Sequence, residues 1–212
     1  GSYQSLKMKK LFVFDFDGTL TNADTLLEFI RFACGRKRML LGFLLYSPLL
    51  VLMKARLYPN YKAKQKVFAH FFKGMTLEQF DTLCQAFARQ GEHLLRPAAV
   101  RFIDEVRDES HAMAIVSASI DNWVRPFAEM YLGQQHDGTD IVVLGTKVET
   151  DGNGRLTGRF ATSNCYGAEK VRRITEVWPS RDQYDVSAFG DSRGDKEMLA
   201  YADQAYFKPF NY

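Results

Sequence analysis

The feature that most constrains this chain is an apolar run that stops on two carboxylates. Residues 11–14 are all apolar or aromatic, and Asp15-Phe16-Asp17-Gly18-Thr19 follows directly. Such a run is typical of a strand buried on both faces of a parallel sheet. Two carboxylates beside a buried strand destabilise the fold unless a cation or hydrogen bonds compensate. We therefore expect Asp15 and Asp17 to bind a ligand or to react.

The composition is that of an ordinary folded protein. The chain has 212 residues, of which 46% are hydrophobic and 25% charged. This length is enough for one large core, or for a core and a small appended domain. The net charge of +3 is too small to indicate a nucleic-acid-binding surface, so we expect no nucleic-acid partner.

The cysteines and the leading residues both predict a cytoplasmic protein. Cys34, Cys84 and Cys165 are far apart and form neither a zinc spacing nor a disulfide pattern. Residues 1–10 contain no long apolar segment and no small-residue cleavage site of a secretory signal. Met8, directly before Lys9, looks like the natural start of the chain.

Strands and helices alternate over about half of the chain, which predicts an α/β fold with a doubly wound parallel sheet. After the first strand, strands are predicted at residues 112–116, 140–144, 186–189 and 205–207, and helices at 97–109, 120–130, 167–178 and 195–200. Residues 147–160 predict a β-hairpin whose turn is the Asp-Gly-Asn-Gly sequence at 151–154.

The interval between the first two strands has helical patterns only. Helices are predicted at residues 25–32, 61–72 and 76–88, the last opened by a capping box of Thr76 and Gln79. We therefore predict a catalytic core formed by residues 1–22 and 96–212, and an inserted helical domain formed by residues 23–95.

Within that domain, residues 39–53 carry no charge at all, and basic residues flank them at 36–38, 54 and 56. As a straight helix this apolar segment would measure about 22 Å, short of a hydrocarbon core of about 30 Å, and Pro48 interrupts it. We do not expect it to cross a membrane. It is either a buried helix pair, which is the simpler interpretation, or an interfacial anchor whose basic flanks meet anionic lipid headgroups.

Three predicted strands of the sheet end on polar residues. Asp15 follows the first strand, Ser117 the second and Asp191 a later one. In open α/β sheets, ligands bind beyond the carboxyl ends of the strands. Although a Ser or Asp at a strand end is commonly only a helix cap, three of them together predict one shared site.

These motifs resemble those of the haloacid dehalogenase superfamily phosphatases. That family is defined by a first-strand Asp-x-Asp-Gly-Thr, a strand-end Ser or Thr, a Lys and a late Gly-Asp-x-x-x-Asp. The chain has them in this order at residues 15–19, Ser117, Lys170 and residues 190–195. The resemblance covers residues 10–22 and 97–210, implies a Rossmann-like core, and makes residues 23–95 the helical cap domain of subfamily I, as in the phosphoserine phosphatase-like group.

The resemblance implies an Mg²⁺-dependent phosphomonoesterase that hydrolyses a small phosphate ester through an aspartyl phosphate. Asp15 would be the nucleophile, and Asp17 would protonate the leaving oxygen and later deprotonate water. Asp15, Asp191 and the main-chain carbonyl of Asp17 would hold Mg²⁺. The phosphate group would be bound by Gly18, Ser117, the amide of Ala118 and Lys170, with Thr19 and Asp195 in support.

The substrate is less sharply indicated. Asp24 stands where phosphoserine phosphatases carry an amine-binding Glu, which makes it a candidate substrate residue. The sequence Ser117-Ala118-Ser119 replaces their Gly pair, however, and no arginine for an amino acid carboxylate is evident. The group also contains phosphatidylglycerophosphatases with an apolar cap, so the alternative is a membrane-associated lipid phosphate phosphatase that uses residues 39–53.

Other classes fit the motifs less well. Dehalogenases of the family lack the second aspartate of the first motif, which is present here as Asp17. A receiver domain carries its acceptor aspartate on a middle strand, and the chain has no Gly-x-x-x-x-Gly-Lys for a P-loop. A non-catalytic binding module would have lost an essential group, and none is missing from the motifs.

Overall fold

A five-stranded parallel sheet forms the centre of the computed structural model, which describes residues 8–135 and 137–211. The strands are β1 (Lys9–Phe14), β2 (Ala112–Ile120), β3 (Val142–Thr146), β4 (Val148–Thr150), β5 (Leu156–Phe160), β6 (Tyr184–Gly190) and β7 (Gln204–Phe207). The sheet order is β3-β2-β1-β6-β7, while β4 and β5 form a separate antiparallel hairpin. The predicted α/β fold is confirmed. Residues 1–7, which hold most of the leading segment discussed above, lie outside the described ranges.

Nine α-helices occur in the described ranges, and the first six lie between β1 and β2. They are α1 (Thr25–Cys34), α2 (Arg36–Leu45), α3 (Ser47–Lys54), α4 (Asn60–Phe72), α5 (Leu77–Gln90), α6 (Pro97–Val106), α7 (Asp121–Phe127), α8 (Ala168–Val177) and α9 (Lys196–Tyr201). The capping box of Thr76 and Gln79 opens α5 as predicted. We call α1 to α5 the helical unit.

The central strand β1 is buried on both faces, which explains its unbroken apolar run. Leu11 and Val13 pack in one apolar cluster with residues of α8, and Phe12 and Phe14 pack in the other. Successive side chains of a strand point to opposite faces, so one short run contributes to both clusters. Phe14 stacks on Phe189 of β6 with their ring centroids 4.6 Å apart.

The helical unit shares an apolar cluster with one face of the sheet. Phe29 of α1 stacks on Trp123 of α7 at 4.8 Å between ring centroids, and Phe87 of α5 packs edge-on against Phe127 at 5.6 Å. Helix α4 also packs on strand β5. These contacts hold α1, α4 and α5 over the carboxyl ends of the strands.

Two predicted boundaries, the end of β2 and the end of α7, are wrong. Strand β2 continues to Ile120 instead of ending at Val116, so Ser117 and Ser119 lie within the strand. Helix α7 ends at Phe127 and a π-helical turn covers Ala128–Leu132. Pro126 lies inside α7 and has no N–H for a helical hydrogen bond, which accounts for the irregular continuation.

Residues 39–53 form two short helices, and the simpler expectation of a buried pair holds for one side only: Met39, Phe43, Tyr46 and Leu50 are partly buried against the core, while the leucines of the other side are exposed. Gly42 is the one buried residue of α2, and α3 has none. A Cβ at Gly42 would lie 2.3 Å from the Phe71 ring, so a narrow strip of α2 touches α4. Leu41 and Leu44 are 66% and 69% exposed. We call α2 and α3 the apolar hairpin; none of the helices in the described residues is long and apolar enough to cross a bilayer.

Candidate active site

The carboxyl ends of β1, β2 and β6 meet at one cavity because β1 lies between the other two strands. Asp15 follows β1, Ser119 lies near the end of β2, and Asp191 follows β6. All three line a cavity of about 600 Å³. The helical unit closes its other side with Leu26, Leu27, Phe43, Leu50, Met53, Lys64 and Val67.

Asp15 is the buried carboxylate at the centre of the site. Its Oδ1 accepts a hydrogen bond from Lys170 Nζ at 2.8 Å, and its Oδ2 accepts one from Thr19 Oγ1 at 3.1 Å. Burial raises the pKa of Asp15 well above its ordinary value, and the charge of Lys170 opposes that rise. The lysine therefore favours the ionised, nucleophilic form of the carboxylate.

Lys170, on α8, is a fully buried ammonium with three acceptors. Besides Asp15 it donates to the Val116 carbonyl at 2.9 Å and to Asp195 Oδ1 at 2.6 Å. Burial opposes its charge, but Asp15 and Asp195 together raise the pKa of Lys170 above its ordinary value. Since a lysine has three donors, all of them are used here to orient these groups.

Asp191 lies against the loop that follows β1. Thr19 Oγ1 lies 3.3 Å from Asp191 Oδ1 and so bridges Asp191 to Asp15. Gly18 has a φ of 81°, and a Cβ there would lie 2.0 Å from Asp191 Oδ2. Only glycine suits this position, because it allows both the backbone conformation and the approach of the carboxylate.

Asp195 supports the loop after β6. Its Oδ2 accepts hydrogen bonds from the amides of Asp191 and Ser192 at 3.0 and 3.2 Å, while its Oδ1 faces Lys170. Both carboxylate oxygens therefore have partners. Asp195 fixes the loop that carries Asp191.

The acidic residues offer a cation site of oxygen ligands. Carboxylate oxygens of Asp15, Asp191 and Asp195 lie within 4.8 Å of one another. A hard divalent cation such as Mg²⁺ prefers oxygen ligands of this kind. Asp195 accepts hydrogen bonds at both oxygens from Lys170 and from two amides, whereas the Asp191 carboxylate accepts one from Thr19 Oγ1, so Asp191 is better suited than Asp195 to direct ligation.

The Asp17 carboxylate does not belong to that cluster and is held by the helical unit and by β2. Its Oδ1 accepts a hydrogen bond from the Thr25 amide at 2.8 Å and another from Thr25 Oγ1. Its Oδ2 accepts one from Ser119 Oγ. Trp123 Nε1 in turn donates to Thr25 Oγ1 at 3.0 Å. The first turn of α1 thus positions this carboxylate at the cavity.

The sequence interpretation missed Ser119 and Thr25 as partners of Asp17. It treated Ser119 only as a substitute for Ser117. Ser117 is fully buried and its Oγ accepts a hydrogen bond from the Ser119 amide at 3.0 Å, while Ala118 and Ser119 line the cavity. No signal in the sequence separates Ser119 from Ser117, because residues two apart in a strand face the same side.

Lys64, on α4, is a second group that the motifs did not identify. Its Nζ donates to the Ala118 carbonyl and, at 2.9 Å, to Asn164 Oδ1. Burial lowers the pKa of Lys64 to about 8, and the charges of Asp17 and Asp24 oppose the fall. The lysine joins the helical unit to the carboxyl-terminal part of β2.

Asp24 lies at the cavity rim and caps α1. Its Oδ1 accepts hydrogen bonds from the amides of Leu26 and Leu27 at 3.0 and 3.4 Å. This is the ordinary function of an aspartate at a helix N-cap. Asp24 lines the cavity as well, so its predicted contact with a substrate stays a prediction.

A parallel α/β fold with an acidic strand-end site and a helical insertion defines a class of hydrolases. The chain belongs to the haloacid dehalogenase-like hydrolase family, whose sequence profile matches residues 12–200. Protein CicA of Caulobacter vibrioides is 36% identical over 203 residues, which cover 94% of this chain and 86% of CicA. The family prediction is confirmed.

Solved structures show the same fold at lower identity. A protein of unknown function from Bordetella pertussis Tohama I has a TM-score of 0.75 at 18% identity and is matched over 94% of this chain and 89% of that one. A phospho-aspartyl intermediate analogue of phosphoserine phosphatase has a TM-score of 0.60 at 22% identity, with 94% and 86% coverage.

Proposed function

We propose that this hydrolase is an Mg²⁺-dependent phosphomonoesterase that acts on a small phosphate ester through an aspartyl phosphate. The observation that carries the proposal is the buried pair of Asp15 and Lys170, 2.8 Å apart, beside the Asp191 carboxylate. A buried carboxylate that accepts a hydrogen bond from a lysine ammonium and faces an open cavity is suited to nucleophilic attack. Similarity of the fold to phosphoserine phosphatases supports the same reaction class.

The reaction would proceed in two displacements at phosphorus. The Asp15 carboxylate attacks the phosphate ester, the bond to the leaving oxygen breaks, and the Asp17 carboxylic acid gives that oxygen its proton. Asp17 then accepts a proton from the water that attacks the aspartyl phosphate, so that inorganic phosphate leaves and Asp15 is restored. Ser119 and Thr25 hold Asp17 in place through both steps.

Asp15 and Asp191 would hold Mg²⁺ together with the main-chain carbonyl of Asp17. When bound, the cation supplies the positive charge that lets a carboxylate approach a phosphate dianion. Lys170 orients Asp15 and its charge favours the ionised form, while Thr19 and Asp195 fix the two acidic loops. Gly18, Ser117 and the Ala118 amide would receive the phosphate oxygens at the ends of β1 and β2.

A second candidate substrate is a phosphate ester with an apolar body, of the lipid phosphate kind. The observation that favours it is the apolar wall that the helical unit contributes to the cavity, with Phe43, Leu50 and Met53 from the apolar hairpin. An amino acid phosphate needs charged partners for its amine and carboxylate. Asp24, the N-cap of α1, and Lys64 of α4 are the charged groups on this side of the cavity that could serve such a substrate. The apolar residues of the same wall instead favour an ester with an apolar body.

The proposed function is tested with p-nitrophenyl phosphate in the presence and absence of Mg²⁺. The wild-type chain should hydrolyse it only with the cation, and Asp15→Asn should abolish hydrolysis while the circular dichroism spectrum stays the same. Asp104→Asn makes the matched change on the exposed side of α6, outside the cavity, and should leave the rate unchanged. Full activity of Asp15→Asn would refute the assigned nucleophile.

A further inference from the structure

The outer face of the apolar hairpin exposes a cluster of large apolar side chains that are close in sequence. Single exposed leucines are normal on any protein, whereas a cluster of them marks an interaction site. Seven large aliphatic side chains lie within eighteen residues, each between 43% and 76% exposed: Leu40, Leu41, Leu44, Leu45, Val51, Leu52 and Leu57. Neither hairpin helix has an apolar face turned fully into the core. Their burial therefore requires something outside the chain.

Charge is distributed very unevenly around this surface. Residues 29–77 contain ten Lys and Arg residues and no Asp or Glu, which leaves 18 basic against 25 acidic side chains in the rest of the chain. Five of the ten flank the hairpin, at residues 36–38, 54 and 56, and all five are exposed. The exposed leucines are thus bordered at both ends by positive charge.

The inner side of the same hairpin belongs to the catalytic cavity. Phe43, Leu50 and Met53 line the cavity that also contains Asp15. Any surface that covers the exposed leucines would therefore lie next to the cavity. A ligand with an apolar body would find a continuous apolar path from that surface to the phosphate-binding end of β2.

These features distinguish between the occupants that an apolar surface can have. A second copy of the chain would bring two sets of positive flanks together, which opposes self-association through this face. An anionic bilayer offers acyl chains to the leucines and negative headgroups to the flanks. Helices of ten and eight residues are about 15 Å and 12 Å long, which suits helices that lie within the interface.

We propose that the apolar hairpin docks this protein on the surface of an anionic bilayer. Resting on the proposed phosphatase function, we extend this to the substrate: the cavity takes a phosphate monoester with an acyl body from that surface. The exposed leucines enter the headgroup and acyl boundary, and the basic flanks contact anionic headgroups. The cavity then opens beside the bilayer instead of toward bulk water.

Docking is tested by co-sedimentation at low salt with vesicles of phosphatidylglycerol and phosphatidylcholine in equal parts, and with pure phosphatidylcholine vesicles. We expect binding to the anionic vesicles at least tenfold stronger than to the neutral ones. The triple variant Leu41→Ser, Leu44→Ser, Leu45→Ser should lose at least tenfold of that binding. Changing the exposed Met130 and Val177 to Ser removes apolar surface elsewhere and should leave binding intact.

A fluorescent reporter keeps the test valid if the triple variant folds poorly. Trp123 and Trp178 are both buried, so a tryptophan introduced by Leu44→Trp reports on the exposed surface. Its emission should shift to shorter wavelength with the anionic vesicles. The absence of a shift with these vesicles would overturn the proposal, and so would undiminished vesicle binding by the triple variant. It would also be overturned if the wild-type chain were a dimer in solution and the triple variant a monomer, because the exposed leucines would then bind a second copy of the chain.

Activity separates this proposal from the proposed function. The triple variant should hydrolyse p-nitrophenyl phosphate at the wild-type rate but lose at least tenfold on a phosphatidate presented in anionic vesicles. Hydrolysis of p-nitrophenyl phosphate without vesicle binding would overturn the docking surface and leave the phosphatase standing. Vesicle binding without any phosphatase activity would support docking, and would overturn both the proposed function and the acyl substrate.

Discussion

The strand-end site and the apolar hairpin place their side chains in opposite environments: charged groups are buried at the site, and apolar groups are exposed in the hairpin. At the site, Asp15, Lys170 and Asp195 are buried and bonded to one another, and no buried polar side-chain atom in the described residues lacks a partner. In the hairpin, large apolar side chains face outward with nothing on them. The comparison teaches that the buried charges of the site are compensated by one another, whereas the apolar side chains of the hairpin would be covered only by the proposed docking on another surface.

Removing the buried ammonium group of Lys170 should have the largest effect on stability and activity. In Lys170→Met, two buried carboxylates lose their common partner, which should lower the free energy of unfolding by about 3–5 kcal/mol and abolish hydrolysis. Urea unfolding measures the first effect. Lys196→Met removes an exposed lysine at the start of α9 and should change neither quantity. Equal stability of the two variants would contradict a self-contained site.

A side chain at Gly18 should damage the geometry of the site. In Gly18→Ala the new methyl group would meet Asp191 Oδ2, at a φ that favours glycine. We expect a loss of about 1–2 kcal/mol of unfolding free energy and of about 100-fold in kcat/KM. Gly152→Ala is the control, since open space surrounds that position. If both variants kept full activity, the close approach of Asp191 would have no functional meaning.

Removing the hydrogen bond between Ser119 of β2 and Asp17 should have a smaller effect, which is confined to kcat. Ser119→Ala removes the hydroxyl that donates to Asp17 Oδ2. Loss of one hydrogen bond to a charged group should lower kcat about tenfold with KM nearly constant. Ser180→Ala, on an exposed loop before β6, serves as the control. A change in KM alone would instead assign Ser119 to substrate binding.

Lys64 should give the stability a pH dependence that appears only above about pH 8. Its pKa is about 8 in the folded protein and about 10.5 in the unfolded chain. Between these values the unfolded state binds more protons, so Lys64 makes the unfolding free energy rise with pH by at most about 1.4 kcal/mol per pH unit. Lys64→Met should remove this rise, whereas Lys66→Met, on the exposed side of α4, should retain it. Parallel curves for wild type and Lys64→Met would contradict the burial of a charged lysine.

The sequence was sufficient to predict the strand-end residues because the topology leaves them little freedom. Parallel strands put Asp15 and Asp191 at one edge of the sheet, whatever the details of packing. On β2 the prediction was Ser117, whereas Ser119 is the serine whose side chain lines the cavity. The partners of Asp17 were not predictable in the same way. Thr25 belongs to the helical unit, and its contact depends on how that unit sits over the sheet.

The exposure of the apolar hairpin was also beyond the sequence. A charge-free segment has the same pattern whether its helices are buried or lie on a surface, because both are apolar on most sides. Only the tertiary arrangement decides between these cases: Gly42, Phe43 and Leu50 face the core, whereas most leucines of the two helices lie outside it. Lys64 was likewise one lysine among several until α4 was placed over Ala118.

The most direct measurement of the central claim is to locate the phosphoryl group on the chain. Asp17→Asn, which lacks the group that activates water, is mixed with p-nitrophenyl phosphate and Mg²⁺, quenched in acid and mapped by peptide mass spectrometry. We predict a burst of nitrophenol and one added phosphoryl unit on Asp15, absent from the double variant that also carries Asp15→Asn. A phosphoryl group on any other residue, or turnover with no phosphorylated peptide in quenched wild-type or variant protein, would contradict the account.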